Sequence, residues 1–266
     1  MAARGARANF PRGPARNRTV IIHLYTIMWN EAPLLPYFLK HYGRFCDRMF
    51  IYDNGSDDGS QAIAKQHPRV ELRTIDSGGQ LTQETLLAVK DQEWKQSRGR
   101  ADWVICCDID ELLWHRDLTG FLFACRDRGI SIPVPAGIQM VADDFPAGDG
   151  QLYDQVVRGF FDPLFRKYAL FDARDIEEIG YTAGCHVANP RGRVKLLNDP
   201  AFKLLHFKFL GLPFLTERYA ALYGRQSESD RRDGQSWGYQ YSWPPQEIAR
   251  RFEHFRKIAE PVEGLA

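Results

Sequence analysis

One stretch constrains this chain more than any other, because an apolar, strand-like segment ends there abruptly in acids. Residues 103–107 are apolar, and Asp108, Asp110 and Glu111 come next, interrupted only by an isoleucine. Alternate side chains of a strand share a face, so Asp108 and Asp110 are expected to point the same way. Acids at the end of a buried strand need a counter-charge, and a divalent cation that holds a diphosphate would supply it. The stretch therefore predicts a metal–nucleotide site.

The members of this acid cluster are expected to have different roles. Asp110 is predicted to bind the metal directly. Asp108 is predicted to contact the ribose of the nucleotide, or the metal through water. Glu111 is expected to support the site from outside it. Acid-x-acid triplets also occur by chance on solvated faces, but the apolar strand before this one favours the metal interpretation.

Length, charge and cysteine content narrow the class of protein. The chain has 266 residues, enough for one large α/β domain or two small ones. Its formal net charge of +1 gives no bias toward nucleic acid or an anionic membrane. The five cysteines form no Cys-x-x-Cys pair and are interpreted as small core residues of a reduced, cytoplasmic protein.

The first 18 residues differ in composition from the rest of the chain. Residues 1–18 are rich in Arg, Ala, Pro and Gly and lack the apolar core of a secretory signal. They are predicted to form a disordered basic tail, with a weak peripheral contact to a membrane surface as the alternative. No apolar stretch approaches the length of a membrane-spanning helix. Residues 19–266 are predicted to form a single domain.

Strand-like and helix-like patterns alternate through the first half of that domain. Strands are predicted at 19–27, 48–52, 70–75 and 102–107, and helices at 32–42, from about 60 to 65, and at 82–98. This alternation predicts an α/β fold with a mostly parallel, Rossmann-like sheet flanked by helices. Ligands of such sheets bind beyond the carboxyl ends of the strands. Glu31, Asp53 and Asp108 each follow a predicted strand and are expected to meet at one edge.

The second half is less regular. Helices are predicted at 118–127 and 245–258, and strands at 167–171 and 202–209. Residues 130–140 are expected to form an edge or interrupted strand because they contain Pro133 and Pro135. Residues 143–162 are predicted to be loop, and the polar segment 224–243 a mobile loop. Its arginines, Arg225, Arg231 and Arg232, are interpreted as solvated, with a phosphate clamp as the alternative.

The turn-rich segment 53–59 could be mistaken for a calcium loop. It fails the EF-hand spacing, since Ala64 stands where that loop needs a glutamate. Asp53 is favoured as a contact to the base or ribose of a nucleotide. For Asp57 and Asp58 the turn and the functional interpretations both stay open.

Two histidines and a lysine in the second half complete the set of candidates. His206 lies in an apolar run and His186 in a Gly-Cys-His sequence. A lone histidine is often a core residue, but a carboxylate metal site often recruits one imidazole, which also suits Mn²⁺. Both are therefore candidate metal ligands. Lys208 would share a strand face with His206 and could neutralise a leaving diphosphate.

The motifs taken together, rather than any one of them, resemble a known family. They are Trp29-Asn30-Glu31 after a strand, the Asp-Asn-Gly-Ser-Asp-Asp-Gly-Ser run from Asp53, and Asp108-Ile109-Asp110-Glu111. This set resembles the family-2-like glycosyltransferases with a GT-A fold and an Asp-x-Asp metal motif. The resemblance is best over residues 19–115 and looser beyond.

The resemblance implies a metal-dependent transfer of a sugar from a nucleoside-diphosphate sugar. Residues 19–111 would form the nucleotide-sugar half and 112–266 the acceptor half. Asp53, Glu31 and Asp108 would line the nucleotide pocket. Asp108 and Asp110, with His206 or His186, would hold Mn²⁺ or Mg²⁺. Transfer would invert the anomeric centre, as it does in most of the family.

Two questions stay open at the level of the sequence. The acid pair that commonly supplies the catalytic base is not obvious, and Asp144 and Glu178 are the candidates. The acceptor could be a glycan such as a surface polysaccharide, a lipid-linked glycan or a protein. A metal-dependent nucleotidyltransferase, or a non-catalytic nucleotide- or glycan-binding protein of the same fold, are the alternative functions.

Overall fold

The computed structural model of the chain describes residues 19–80, 82–227 and 238–265. Its first part alternates strands and helices as predicted. The strands are β1 (Ile22–Met28), β2 (Arg48–Asp53), β3 (Val70–Thr74) and β4 (Trp103–Cys106), and the helices between them are α1 (Leu35–Tyr42), α2 (Ser60–Gln66) and α3 (Gln83–Leu87). These strands form a sheet in the order β3-β2-β1-β4-β8, parallel except for β8 (Leu170–Asp172), which runs antiparallel to β4.

The prediction of a single helix over 82–98 is wrong, because α3 ends at Leu87 and two helical turns of other types follow it. A π-helical turn spans Ala88–Gln92 and a 3₁₀ turn spans Glu93–Ser97. Val89, Lys90 and Trp94 are all buried in this segment. A π-helical turn inside a helix often marks a functional site, and Lys90 here reaches the acid cluster after β4.

The second half begins with β5 (Glu111–Trp114), α4 (Leu118–Asp127) and β6 (Ile132–Ala142). The remaining elements are α5 (Leu152–Gln155), β7 (Arg158–Phe161), β8, β9 (Ile176–Glu178), β10 (Arg191–Gly192), β11 (Leu196–Leu210), α6 (Leu212–Arg225), α7 (Pro245–Ile258) and β12 (Glu260–Pro261). A second sheet has the order β12-β7-β6-β11-β5, and β9 pairs with β10. The mixed α/β class, with parallel strands and flanking helices, is thus confirmed.

One prediction for this half is wrong, because residues 143–162 contain α5 and β7 and are not only loop. Strand β6 lies between β7 and β11 in the second sheet. It is interrupted, as predicted, because its register with β11 shifts at Pro135. Pro133 pairs only on the β11 side, since pairing with β7 begins at Ile138.

Some expectations concern residues outside those that the structure describes. They are the basic tail over 1–18 and half of the predicted mobile loop, residues 228–237, which include Arg231 and Arg232. The described ends of that loop belong to α6 and to a 3₁₀ turn at Tyr239–Ser242. Within the described ranges, no helix has both the length and the apolarity needed to cross a membrane.

The main hydrophobic core joins the two halves. Its largest buried cluster includes Leu24 and Ile105 from the first sheet, Leu112 from β5 and Leu204 from β11. Strand β5 carries the chain from the acid cluster directly into the second sheet. The core thereby fixes the end of β4 against β11, where the site lies.

His41 shows how this core restricts protonation. The ring is 4 % exposed. Its Nε2 donates to the Leu113 carbonyl at 2.9 Å, and the Tyr153 hydroxyl lies 3.4 Å from Nδ1. Burial lowers the pKa of His41 to about 4. The folded protein therefore keeps this imidazole neutral under conditions in which the unfolded chain binds a proton.

We predict that His41 makes the protein lose stability as the pH falls from 6.5 to about 4. The unfolded state binds the extra proton, so the free energy of unfolding should fall by about 3 kcal/mol across this range from His41 alone. Urea denaturation as a function of pH should show a shallower loss for His41→Gln than for wild type. The control is His254→Gln, on the exposed side of α7. An unchanged pH dependence in His41→Gln would contradict the assignment.

Candidate functional site

The two turns that follow β1 and β2 are locked to each other by side chains. Asn30, which has a positive φ of 50°, donates to Asp57 at 2.7 Å and accepts from the Asp57 backbone N–H at 2.9 Å. Asp58 accepts from the Ala32 N–H at 2.8 Å, and Ser60 accepts from the Glu31 N–H at 2.8 Å. Asp58 therefore satisfies a backbone amide just before α1, while Asp57 and the Asn30 side chain hold the two turns together.

Asp53 ends β2 and is 1 % exposed. Its carboxylate accepts from Gln61 Nε2 at 2.8 Å and from the Ser56 N–H at 3.3 Å. Asp53 thus lies at the predicted strand end, and its carboxylate is hydrogen-bonded to residues of the turn and helix that follow it.

Asp108 is neutralised by two lysines rather than left open for a metal. Lys90, which is buried, forms an ion pair with one oxygen, and Lys167 lies 3.3 Å from the other. Burial raises the pKa of Asp108, but Lys90 and Lys167 outweigh it and hold the pKa well below its usual range. Glu111 completes the network, since it accepts from the Asp108 N–H at 3.0 Å and pairs with Lys167 at 2.5 Å.

Asp110 has a different environment, with an imidazole and a guanidinium on the same oxygen. His206 Nε2 lies 3.4 Å from Asp110 Oδ2, and Arg218 lies 3.5 Å from that atom. Burial raises the pKa of Asp110, but His206 and Arg218 more than offset this, so the pKa is strongly lowered. His206 Nδ1 donates to Gln139 Oε1 at 2.7 Å. This bond orients the ring so that Nε2 faces Asp110.

Arg218 links the two halves of the chain at this point. It donates to both oxygens of Glu31, at 2.7 and 2.8 Å, from α6 in the second half to the end of β1 in the first. The fork-like pairing fixes the guanidinium plane. Glu31 and Asp110 raise the pKa of Arg218 despite its burial.

Lys208 is a half-buried cation that faces the same space without a carboxylate partner among the described residues. Among the described residues, no acid lies within ion-pair distance of its ammonium, which sits 5.1 Å from the Tyr219 ring and 5.7 Å from the Tyr241 ring. Burial lowers the pKa of Lys208 to about 8. An anionic ligand in this space would gain an ammonium that no protein carboxylate neutralises.

Several of these groups line a cavity of about 500 Å³, whereas Asp53 does not. The charged and imidazole groups of the cavity include Glu31, Asp108, Asp110, Asp162, Lys167, His206, Lys208, Arg218 and Arg251. Its aromatic groups include Trp29, Phe165, Phe209, Tyr219, Tyr239, Tyr241, Trp243 and Phe255. A mostly apolar cavity with a few convergent charges is the usual form of a small-molecule site.

His186 also lines the cavity, but in a different setting from His206. Its Nδ1 donates to the Leu164 carbonyl at 2.9 Å, and its ring packs edge-on against Phe165. Burial and Lys167 lower the pKa of His186 to about 4, which keeps the ring neutral. No described contact joins it to Asp108 or Asp110.

The donor set fits a cation only at Asp110 and His206. Across the described residues, no group of three or more His, Cys, Asp or Glu side chains is placed to hold a metal by itself. Mg²⁺-type sites, however, commonly use one or two protein ligands and substrate phosphates. Asp110 and His206, oriented by Gln139, match that pattern. Asp108 and His186, the other two predicted ligands, do not.

Neither sequence candidate for the catalytic base reaches the cavity. Asp144 is exposed in a bend after β6, and Glu178 pairs with Lys95 at 2.6 Å. Neither carboxylate belongs to the cavity lining. The sequence shows that Asp144 and Glu178 are acidic, but it does not show which strand ends meet at the cavity. Both residues lie away from the cavity.

The sequence interpretation also missed several residues that the structure brings to the site. Lys90 and Lys167 lie next to other charged or polar residues and Gln139 lies in an apolar stretch, and the sequence assigns none of the three a role. Arg218 lies in α6, which was not predicted, although Pro213 near its start is a helix-start signal.

Comparisons with known proteins give a distant likeness in fold. The sequence matches no family model and no curated protein. The chain is similar to S. aureus TarS 1-349 in complex with UDP-GlcNAc, with 10% identity, 89% of this chain and 72% of that chain covered, and a TM-score of 0.44. It is also similar to glucosyl-3-phosphoglycerate synthase from Mycobacterium tuberculosis in complex with Mn²⁺ and UDP, with 15% identity, 44% of each chain covered, and a TM-score of 0.30. Likeness at this level establishes neither a family nor an activity for this chain.

The buried network around Asp108 predicts a large stability effect for Lys90. Lys90→Met leaves Asp108 with Lys167 alone, so the free energy of unfolding should fall by about 3 kcal/mol. The double variant Lys90→Met/Asp108→Asn should lose less stability, because the carboxylate that lost one of its two lysines has been removed as well. Both are measured by chemical denaturation.

The matched control removes a lysine from a pair at the surface. Lys95→Met breaks the half-exposed pair with Glu178 and should cost less than about 1 kcal/mol. If Lys90→Met were as mild as Lys95→Met, Lys90 would not be compensating Asp108.

Proposed function

We propose that this chain transfers a sugar from a nucleoside-diphosphate sugar to a hydroxyl of a glycan, lipid-linked or protein acceptor, as a GT-A, family-2-like glycosyltransferase. One observation carries the proposal. Asp110 and the imidazole of His206, which Gln139 orients, lie together at a cavity that also holds Lys208 and Arg218. This set suits a diphosphate that arrives with a divalent cation.

The charges explain why the cation and the diphosphate would bind together. Three cavity carboxylates, Glu31, Asp108 and Asp110, are already paired with Arg218, Lys90, Lys167 and His206. Asp162 also lines the cavity, so a diphosphate alone would add negative charge to a space in which Lys208 is the cation without a carboxylate partner among the described residues. Mn²⁺ or Mg²⁺ bound by Asp110 and His206 would restore the balance.

The nucleotide is proposed to lie over the ends of β1, β2 and β4. Asp53 would be next to the base or ribose, Asp108 next to the ribose, and Glu31 in the same pocket. The Lys90 and Lys167 ion pairs would hold Asp108 in one orientation, which lowers the entropy lost when the nucleotide binds. Lys208 would contact the diphosphate.

Transfer of the sugar separates charge, and this chain would supply groups that stabilise the negatively charged leaving diphosphate. Breaking the anomeric C–O bond builds negative charge on the departing diphosphate, which Lys208 is placed to stabilise. When bound, a divalent cation would add Lewis-acid stabilisation of that leaving group. The aromatic residues that line the cavity would exclude water and contact the acceptor. Inversion of the anomeric centre and a cytoplasmic location stay predictions.

The donor site is tested by calorimetry with UDP and GDP, each with and without Mn²⁺. We expect one nucleotide to bind much more tightly with Mn²⁺, and Asp110→Asn to weaken that binding at least about tenfold, or about 1.4 kcal/mol. The matched control is Asp117→Asn, an exposed cap of α4 outside the cavity lining. Binding that ignores both Mn²⁺ and Asp110→Asn would contradict the cation site.

Product analysis then separates transfer from the two alternative functions. Release of free sugar from a UDP- or GDP-sugar supports a glycosyltransferase, because such enzymes can use water as a poor acceptor. Release of pyrophosphate from a nucleoside triphosphate would favour a nucleotidyltransferase. Tight nucleotide binding with neither product would favour a binding protein.

A further inference from the structure

Asp162 lies at the cavity, although it is absent from every sequence motif. It follows β7 directly and caps the 3₁₀ turn Pro163–Phe165, where its Oδ1 accepts from the Leu164 N–H at 3.0 Å. Its Oδ2 accepts from Gln139 Nε2 at 2.9 Å. The side chain is partly exposed and lines the same cavity as Asp110.

Asp162 differs from the other cavity carboxylates in its partners. Glu31 and Asp110 pair with Arg218, and Asp108 pairs with Lys90 and Lys167. Over the ranges that the structure describes, Asp162 is the one cavity-lining carboxylate with no Lys, Arg or His at ion-pair distance. The others accept from cationic groups, whereas the two oxygens of Asp162 accept from the uncharged N–H groups of Gln139 and Leu164.

Gln139 connects Asp162 to the proposed cation site. Its amide nitrogen donates to Asp162, and its amide oxygen accepts from His206 Nδ1 at 2.7 Å. One side chain thus fixes the orientation of both groups. Asp162 follows β7 of the second sheet, whereas Asp108 and Asp110 lie between β4 of the first sheet and β5 of the second, so these acids reach the cavity from different strands.

We propose that Asp162 is the catalytic base that deprotonates the acceptor hydroxyl, an inference that rests on the proposed sugar transfer. The acceptor O–H proton passes to a carboxylate oxygen of Asp162. The acceptor oxygen forms the new bond to the anomeric carbon, and the bond between that carbon and the diphosphate oxygen breaks. The electron pair of the broken bond leaves with the nucleoside diphosphate. No oxidant or further reactant is needed.

The test uses the full chain with Mn²⁺ and a panel of UDP- and GDP-sugars, with water as the acceptor. Asp162→Asn keeps a side chain that can cap the turn but cannot take a proton. We expect sugar release to fall about 10²- to 10⁴-fold, while nucleotide binding with Mn²⁺ changes less than about twofold by calorimetry. The matched control is Asp117→Asn, which also alters a helix cap but lies outside the cavity lining.

A second pair of variants separates catalysis from folding. Asp162→Ala should regain sugar release when sodium formate is added, because the small carboxylate can occupy the space of the lost one. Asp117→Ala should show no response to formate. A merely structural role of Asp162 would predict no rescue.

The outcomes distinguish the two proposals. If wild type releases sugar and Asp162→Asn releases it at the same rate, the base assignment is overturned and the transferase proposal stands. If Asp162→Asn is slow but also loses nucleotide binding, and formate does not rescue Asp162→Ala, the base assignment is overturned as well. If wild type releases no sugar from any donor, the transferase proposal falls and the base assignment falls with it.

Discussion

The arrangement of the site depends on the neutralisation of carboxylates buried beyond β4. An uncompensated buried charge is strongly destabilising, so each of these acids must find a cation or several hydrogen bonds. The cations come from segments far apart in sequence: Lys90 from the π-helical turn, Lys167 from the segment before β8, and Arg218 from α6. Pairing the acids therefore holds the two sheets and α6 in one arrangement. The cavity is the space that this arrangement leaves.

The same pairing divides the acids by role. Asp108 is held on both oxygens by lysines, so it is a fixed acceptor and has little freedom to ligate a metal. Asp110 shares one oxygen between His206 and Arg218, at distances longer than a strong hydrogen bond. Asp110 and His206 are therefore the pair to which we assign the proposed cation, whereas Asp108, two residues earlier, is paired with its lysines.

The first sheet could be predicted from the sequence because its signals are local. Apolar runs before Asp53 and Asp108, and helical spacing between them, suffice to place strand ends at one edge. The partners of these acids could not be predicted, since Lys90, Lys167 and Gln139 are brought in by tertiary packing and carry no local pattern. The base candidates Asp144 and Glu178 failed for the same reason, because an acidic residue in sequence does not reveal whether its strand ends at the cavity or at the surface. Asp162 was missed because residues 143–162 lack the periodicity by which α5 and β7 could be recognised.

We propose above that Asp110 and His206 hold a cation together with a diphosphate. Anomalous diffraction at the manganese edge tests this, with crystals grown in Mn²⁺ and whichever of UDP or GDP binds. We expect an anomalous peak about 2.1 Å from both Asp110 and His206 Nε2, with diphosphate oxygens beside it and Asp108 still paired with its lysines. A diphosphate bound in the cavity with no anomalous peak beside Asp110, or manganese bound at another group of acids, would contradict it.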